Sequence, residues 1–547
     1  MPEEVPGPEL PQLHKAKSSN SRRTRRGSLD LHRNYSLHHF DDHSVYHNHE
    51  ETSDDDSTEI DVERAPKELR KERSRRSIKD PNLVSWDGPD DPENPKNWTM
   101  GNKWGATVIV SCFTFISPVA SSMVAPAIGT MMRDLNVTDQ VIGQLMLSIF
   151  VLAYAVGPLI LGPLSEMYGR VPVLQLANMF FLCWNLGCGF AQTSGQMLAF
   201  RFMSGLGGSA PLAIGGGLLS DVFTADQRGR AIGIYSLAPL LGPAIGPIAG
   251  GFITQNTTWR WVFWATTMAC AVIQLFGLVF LRETYAPILL ARKAARLRKE
   301  TGNQALHTEY DSDLKFTKKL STALVRPSRL LGTQPIVQVL ALYMAFLYGI
   351  MYLVLSTFPT LWEQRYHESI GIGGLNYISL GLGFTLGTQV SAPLNDALYR
   401  RLKRKNNGVG RPEFRTPIMV PGSILVPIGL FWYGWSAQAR THWIMPNIGA
   451  AVFAAGTIIC FQGIQTYIVD SYTRYAASAV GAATVLRSLA GFGFPLFAPA
   501  MYAALDYGWG NSVLAFVGIA IGIPAPFMLW TFGERLRKRS QFAAGGG

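Results

Sequence analysis

From Trp104 onward the chain is built of long apolar runs separated by short polar connections. A helix rises ~1.5 Å per residue, so a hydrocarbon core of ~30 Å takes ~20 residues to cross. The runs at 104–125, 141–164, 171–191, 197–219, 231–253 and 261–281 reach that length. After a break, so do 335–357, 372–394, 416–436, 443–469, 477–503 and 511–532. Gly and Pro are frequent inside them, as they are in membrane helices. A soluble core does not explain the pattern, because so many helices of this kind would show water no polar face. The expected fold is an all-α membrane protein with 12 transmembrane helices in two pseudo-symmetric six-helix bundles, 104–281 and 335–532.

Charge adds an orientation. The 547 residues carry a formal net charge of +11, but residues 1–103 contribute 17 Lys/Arg and 21 Asp/Glu, a net of −4. Residues 104–547 carry +15, with only 49 of 444 positions charged. A soluble domain is typically ~25% charged. The positive charge is scattered between apolar blocks, so no nucleic-acid-binding face is expected. If residues 1–103 are cytoplasmic, the cytoplasmic connections and C-terminal segment hold 26 Lys/Arg and the external connections 4. That bias places both termini in the cytoplasm. Sequons at Asn136 and Asn256 then fall in external loops as candidate glycosylation sites.

Residues 1–103 are poor in aliphatic side chains and hold seven of the ten histidines. They cannot bury enough apolar surface to offset ordering entropy, so a disordered cytoplasmic tail is expected. The start is acidic and lacks the apolar core of a secretory signal. His43, His47 and His49 read as a solvated tract, and no metal site or cofactor is expected. The five cysteines, at 112, 183, 188, 270 and 460, all lie within spans and read as packing residues. Residues 282–334 form a cytoplasmic linker. In it, Ile288, Leu289 and Leu290 precede Arg292, Lys293, Arg296, Arg298 and Lys299, the pattern of a basic helix on an anionic lipid surface. Residues 533–547 are expected to be a cytoplasmic C-terminal tail.

The two halves share a repeat. Gly162-Pro-Leu-Ser-Glu-Met-Tyr-Gly-Arg170 aligns with Ala392-Pro-Leu-Asn-Asp-Ala-Leu-Tyr-Arg400 at an offset of 230. Internal duplication of this kind is common in secondary transporters. In this turn Glu166 can face a helix N-terminus and Arg170 can pair with an acid on a neighbouring helix, Asp221 being the expected partner.

The loop resembles the G-x-L-x-D-R-x-G-R pattern of the major facilitator superfamily, with Glu166 for Asp and Met167 for Arg. The Met removes one charge from the gate that this resemblance implies. Arg201-Phe-Met-Ser-Gly205 is similar to the family's R-x-x-x-G element in span 4. Gly242-Pro-Ala-Ile-Gly-Pro-Ile-Ala-Gly-Gly251 resembles the antiporter signature in span 5 of the twelve-span drug:proton antiporter branch. Fungal members of that branch are resembled in Ser85–Trp98, Trp259-Arg-Trp-Val-Phe-Trp264 and Glu283-Thr-Tyr-Ala-Pro287. The resemblance implies alternating access and a proton-coupling role for Arg201.

Small residues recur every four positions in span 5 (Ala238, Gly242, Gly246, Gly250) and in span 8 (Ser379, Gly383, Gly387, Ser391). Such stripes let backbones approach closely in lipid. Two arrangements fit: the stripes face each other across the halves, which is the expectation, or each packs within its own half. Gly242, Pro243, Gly246, Gly250 and Gly251 are the expected interface motif.

Arg487, about ten residues into span 11, lies ~15 Å deep. An arginine there needs a partner or a wet cavity. Either it contacts substrate, or it ties helices through carbonyls freed near Gly491, Gly493 and Pro495. No Asp, Glu or His lies at a span centre; Glu166, Asp221, Asp396 and Asp470 lie near cytoplasmic ends and, with Arg170, are the gating and coupling candidates. Tyr343, Gln389, Gln462, Gln465 and Phe492, with Arg487, are the substrate-binding candidates, because a polar tip is costly against lipid. No G-x-x-x-x-G-K-S/T loop is present to support an ATP-driven pump, and no nucleophile–base pair suggests an enzyme.

The expected function is export of small amphipathic organic molecules in exchange for protons. An organic-acid exporter is the alternative and a polyamine exporter the third. The expected setting is the plasma membrane, with an internal membrane such as the vacuole the other option. The protein is expected to act as a monomer in the lipid bilayer, with small-molecule substrate and protons as partners.

Overall fold

The computed structural model describes residues 80–311, 316–540 and 542–543. Residues 1–79 of the expected tail, with its histidine tract, lie outside the described residues.

The first half contains α1 (Met100–Ser122), α2 (Ile128–Asp134), α3 (Gln140–Tyr168) and α4 (Arg170–Gly189). It continues with α5 (Ser194–Gly208), α6 (Ala210–Val222), α7 (Ala225–Asn256) and α8 (Arg260–Phe280). The linker holds α9 (Ala286–Thr301) and α10 (Phe316–Thr333). The second half contains α11 (Pro335–Thr360), α12 (Ile370–Leu375), α13 (Tyr377–Lys405) and α14 (Met419–Gln438). It ends with α15 (Ile444–Ser471), α16 (Ala476–Gly522) and α17 (Pro524–Lys538).

Among the described residues, 11 helical segments are long and apolar enough to cross a membrane. The last, Ala476–Lys538, runs 63 residues. Unbroken it would reach ~95 Å, far more than a bilayer needs. It turns at Asp506, where φ is 53° and ψ −177°, and so accommodates both the eleventh and twelfth expected spans. Span 4 is divided in the opposite way: α5 stops at Gly208 and α6 restarts with Pro211 in its first turn, where a missing N–H costs nothing.

The repeat behaves differently in the two halves. In the first, Gly169 takes φ +103° and separates α3 from α4. Tyr399 stands at the corresponding place in the second half, and α13 runs on to Lys405. A side chain with a Cβ disfavours the backbone that made the first turn, so the helix continues.

The boundaries expected at 103 and 533 need correction. Residues 80–103 are not a tail: β1 (Leu83–Val84) pairs in parallel with β2 (His307–Thr308) of the linker. Asp91 accepts from the backbone N–H of Asp87 and Glu93 at 2.9 and 2.8 Å. Lys293 of α9 reaches both Asp87, at 2.7 Å, and Asp91, at 3.4 Å. The middle of the basic linker helix is thus turned onto the Ser85–Trp98 segment, with Lys293 buried. At the other end, α17 carries Arg537 into a buried two-point pair with Glu413, 2.9 Å on each side, so 533–538 are docked helix.

Candidate functional site

Four carboxylates and two arginines organise the ends of the spans on the side of the 282–334 linker. Arg170 Nε donates to Asp221 Oδ2 at 2.5 Å, and its guanidinium lies 4.7 Å from the Tyr285 ring. The space comes from Gly217, where a methyl would stand 2.8 Å from the guanidinium carbon. Glu166, expected to face the helix N-terminus, is instead exposed at the end of α3. Glu283 fills that role: its carboxylate accepts from the backbone N–H of Arg170 at 3.1 Å and of Val171 at 3.2 Å. The negative charge complements the positive end of the α4 dipole. The Glu283–Pro287 motif therefore joins the end of α8 to the α3–α4 turn.

In the second half the cation is not Arg400, which is exposed, but Arg415. Arg415 donates to Asp396 at 2.8 Å and to Asp470 at 2.9 Å, with Tyr399 4.2 Å beneath it. Among the described residues, no ion pair joins 104–281 to 335–532.

The ends away from that linker meet across the halves. Gly371 N–H donates to Gln255 Oε1 at 2.7 Å, and Tyr352 and Ser121 hydroxyls lie 3.3 Å apart. Tyr352 belongs to one apolar cluster with Val119, Met123 and Val124 of the first half. Spans 5 and 8 do face each other here, but not through the expected stripes. A methyl on Gly251 would stand 2.8 Å from the Ile370 carbonyl, one on Gly374 3.0 Å from the Pro247 carbonyl, and one on Gly381 2.8 Å from Ala244 Cβ. The stripe glycines pack inside their own halves. Gly242 and Gly246 abut Pro118 and Val119 of α1, and Gly250 abuts Met123. Gly383 and Gly387 abut Ala451, Ala455 and Ile458 of α15. Pro243 lies within α7 beside this contact. Period-four spacing identified close-packed faces correctly; which neighbour each face meets is set by the bundle.

Arg201 and Arg487 are environments of opposite kind. Arg201 is fully buried and donates to the carbonyls of Met146, Ala120, Ser121 and Leu147 at 2.9–3.2 Å. The Phe150 ring lies 4.8 Å away. These bonds tie α5 to α1 and α3 with no carboxylate involved. Arg487 of α16 sits 5.0 Å from the Tyr348 ring of α11 and 5.3 Å from the Phe461 ring of α15. Its Nε is buried without a hydrogen-bond partner among the described residues, so the alternative of a tie to freed carbonyls is not made through that atom. A mid-membrane arginine costs at least ~2.5 kcal/mol on insertion scales, and a ring contact returns ~1–2 kcal/mol.

The place where Arg487 stands is a seam. A methyl on the neighbouring Gly491 would meet both Tyr348 at 2.8 Å and Val151 of the first half at 3.2 Å. The Tyr348 ring lies 4.9 Å from the Tyr352 ring, tilted by 47°. In the first half, Tyr154 bonds Ser117 at 2.6 Å. Sequence reasoning missed Tyr348, Tyr154, Ser117 and Ser121; the available signal was Tyr348 one helical turn before Tyr352.

The other substrate candidates scatter. Tyr343 is buried in the second-half core and donates to Cys460 Sγ at 3.2 Å, so it does not face a cavity. Gln462 accepts from Ser391 Oγ at 2.5 Å, bridging α13 and α15 within that half. Gln389 and Gln465 are exposed, and Phe492 is partly exposed. Phe494, rather than Phe492, packs on Phe346 at 6.3 Å. Asn136 is exposed in the turn between α2 and α3, with φ 54°, and Asn256 is exposed as the last residue of α7. Between these segments, Trp259 Nε1 donates to Asp134 at 2.8 Å and Arg260 to the Ala191 carbonyl at 2.8 Å, which gives the Trp259–Trp264 motif a packing role.

Residues 110–495 match the family described as Major Facilitator Superfamily. The chain is 55% identical over 499 residues to the efflux pump vrtL of Penicillium aethiopicum, covering 91% of this chain and 99% of that one. It is 44% identical over 482 residues to the MFS-type transporter penM of Penicillium rubens, covering 88% and 94%. Among solved structures it resembles the xylose transporter XylE from E. coli in a partially occluded inward-open conformation. The TM-score is 0.58 and the identity 15%, with 79% of this chain and 98% of that chain covered.

Proposed function

The chain belongs to the major facilitator superfamily, and on that premise we propose that it exports small amphipathic organic molecules, secondary metabolites among them, in exchange for protons. It is a multi-pass membrane transporter of that fold, and not an enzyme. The observation that carries the finer reading is the seam: Tyr348 and Phe461 flank Arg487, Val151 of the first half reaches the same place beside Gly491, and the Tyr352 and Ser121 hydroxyls meet across the halves. A flat amphipathic molecule suits such a lining, which is apolar with a few polar anchors. The names of the relatives, an efflux pump and a transporter, support export as the direction.

In this reading the structure is the inward-facing state. Arg170–Asp221 and Arg415–Asp470 each lie within one half, so the inner ends part without breaking them. Protonation of Asp221 would free Arg170 to bridge the halves, which would couple proton exchange to closure. Arg201 acts as a fixed tie between α5, α1 and α3. The protein works as a monomer in the plasma membrane with both termini cytoplasmic.

Inverted membrane vesicles with an imposed pH gradient test this. A planar amphipathic dye should accumulate while the gradient lasts and leak out on adding an uncoupler. Absence of gradient-dependent flux for dye, dicarboxylate and polyamine alike would sink the proton exchange. Polyamine is disfavoured because, among the described residues, no acid pairs with Arg487 in the seam.

A further inference from the structure

We propose that Arg487 anchors the negative charge of the transported molecule, and that the substrate class is an aromatic or conjugated organic anion such as a carboxylate, enolate or phenolate. This rests on the export reading above and narrows it.

Among the described residues, the seam holds a cation with no acid set against it. Arg170, Arg365, Arg415 and Arg537 each hold a carboxylate. Arg201, fully buried, directs its donors to four backbone carbonyls. Arg487 has neither arrangement: two aromatic rings flank it, and its buried Nε has no hydrogen-bond partner among the described residues. A guanidinium presents Nε and one terminal nitrogen along a single edge, which fits the two oxygens of a carboxylate or a chelated enolate. The rings of Tyr348 and Phe461 lie 6.1 Å apart at 35°, so together they offer a bent apolar wall beside that edge. A ligand that brings a delocalised negative charge and a flat body satisfies both parts. An organic cation meets like charge with no acid to compensate, and an aliphatic dicarboxylate leaves the aromatic wall unused. The neutral hydroxyl pairs, Tyr154–Ser117 and Tyr352–Ser121, are spent on each other and supply no counter-charge.

The test uses the full chain purified in lipid nanodiscs and three matched probes: 2-naphthoate, 2-naphthylmethanol and 2-naphthylmethylammonium. Naphthoate should bind at least about tenfold more tightly than the alcohol, and the ammonium more weakly than either. In Arg487→Gln the naphthoate-to-alcohol ratio should collapse toward one. In Arg487→Lys it should stay intermediate, because the charge remains and the planar edge is lost. Melting temperatures measured alongside identify a variant that has not folded. In that case, competition in wild-type vesicles decides, where naphthoate should inhibit dye flux and the ammonium should not. Equal affinity for the three probes in the wild type, or an unchanged ratio in Arg487→Gln, would overturn the proposal. Dye flux that persists without any preference for the anion overturns this inference alone, whereas loss of all flux removes the export reading itself.

Discussion

Gly169 shows how much one residue can decide. Its φ of +103° lies where side chains with a Cβ are strained, and a methyl there would strike the Glu283 carboxylate. Two costs therefore fall on the same substitution: ~1–3 kcal/mol of backbone strain and the loss of the acid at the α4 N-terminus. Gly169→Ala should lower the melting temperature of the purified protein. Glu283→Gln, which keeps the shape and removes the charge, should lower it less. Equal stability of Gly169→Ala and wild type would mean that the turn is not under this constraint. Glu283 itself was legible only as part of a motif. Its role depends on residues more than a hundred positions away, and no local pattern reports that.

At the scale of elements, the Ser85–Trp98 segment and the basic linker helix explain each other. Charge and low hydropathy mark the first as a tail and the second as a lipid-surface helix. Joined, they bury Lys293 between Asp87 and Asp91. Burial pushes the Asp91 carboxyl up, but the N–H groups of Asp87 and Glu93 and the Lys293 charge outweigh it and hold it below the usual range. Burial likewise lowers Lys293, and its two aspartates outweigh that and raise it. A depressed carboxylate stabilises above its unfolded pKa of ~3.9 and loses that as pH falls through the folded value. A raised lysine stabilises below ~10.4 and loses that as pH rises through the folded value. The clasp should hold unchanged from about pH 5 to about pH 9. Hydrogen exchange should report this, with 80–98 and 286–301 opening together in acid. Lys293→Met should open both by ~3 kcal/mol, and Lys293→Met with Asp91→Asn by less, because the single change strands a buried charge. Independent opening of the two segments would count against the clasp.

For the whole molecule, the glycines sort into two classes by what they touch. Gly246 packs on Val119 and Ser122 inside the first half, so Gly246→Leu should reduce the yield of folded protein. Gly374 lies against the Pro247 carbonyl of the opposite half. Gly374→Leu should leave each half folded and wedge the outer seam, cutting transport at least about tenfold with a near-normal melting temperature. Size-exclusion profiles, melting and vesicle flux on the two variants separate these outcomes; reversed behaviour would reassign the sliding surface to the stripes.

The sequence by itself determined what a one-dimensional pattern can carry. Apolar run length reads the solvent as lipid and places the spans, Lys/Arg bias assigns an expected orientation, and spacing finds the Arg170–Asp221 pair. It also singled out Arg487, because charge inside an apolar run is visible without any structure. Tertiary structure decided which face of a helix meets which neighbour. It turned the span-5 stripe onto α1, buried Tyr343 against Cys460, spent Gln462 on Ser391, and set Tyr348 beside Arg487. In water, polarity predicts the inward face of a helix. In a membrane both lipid and core are apolar, so the inward face is chosen by packing with distant segments. Only the folded bundle contains that information.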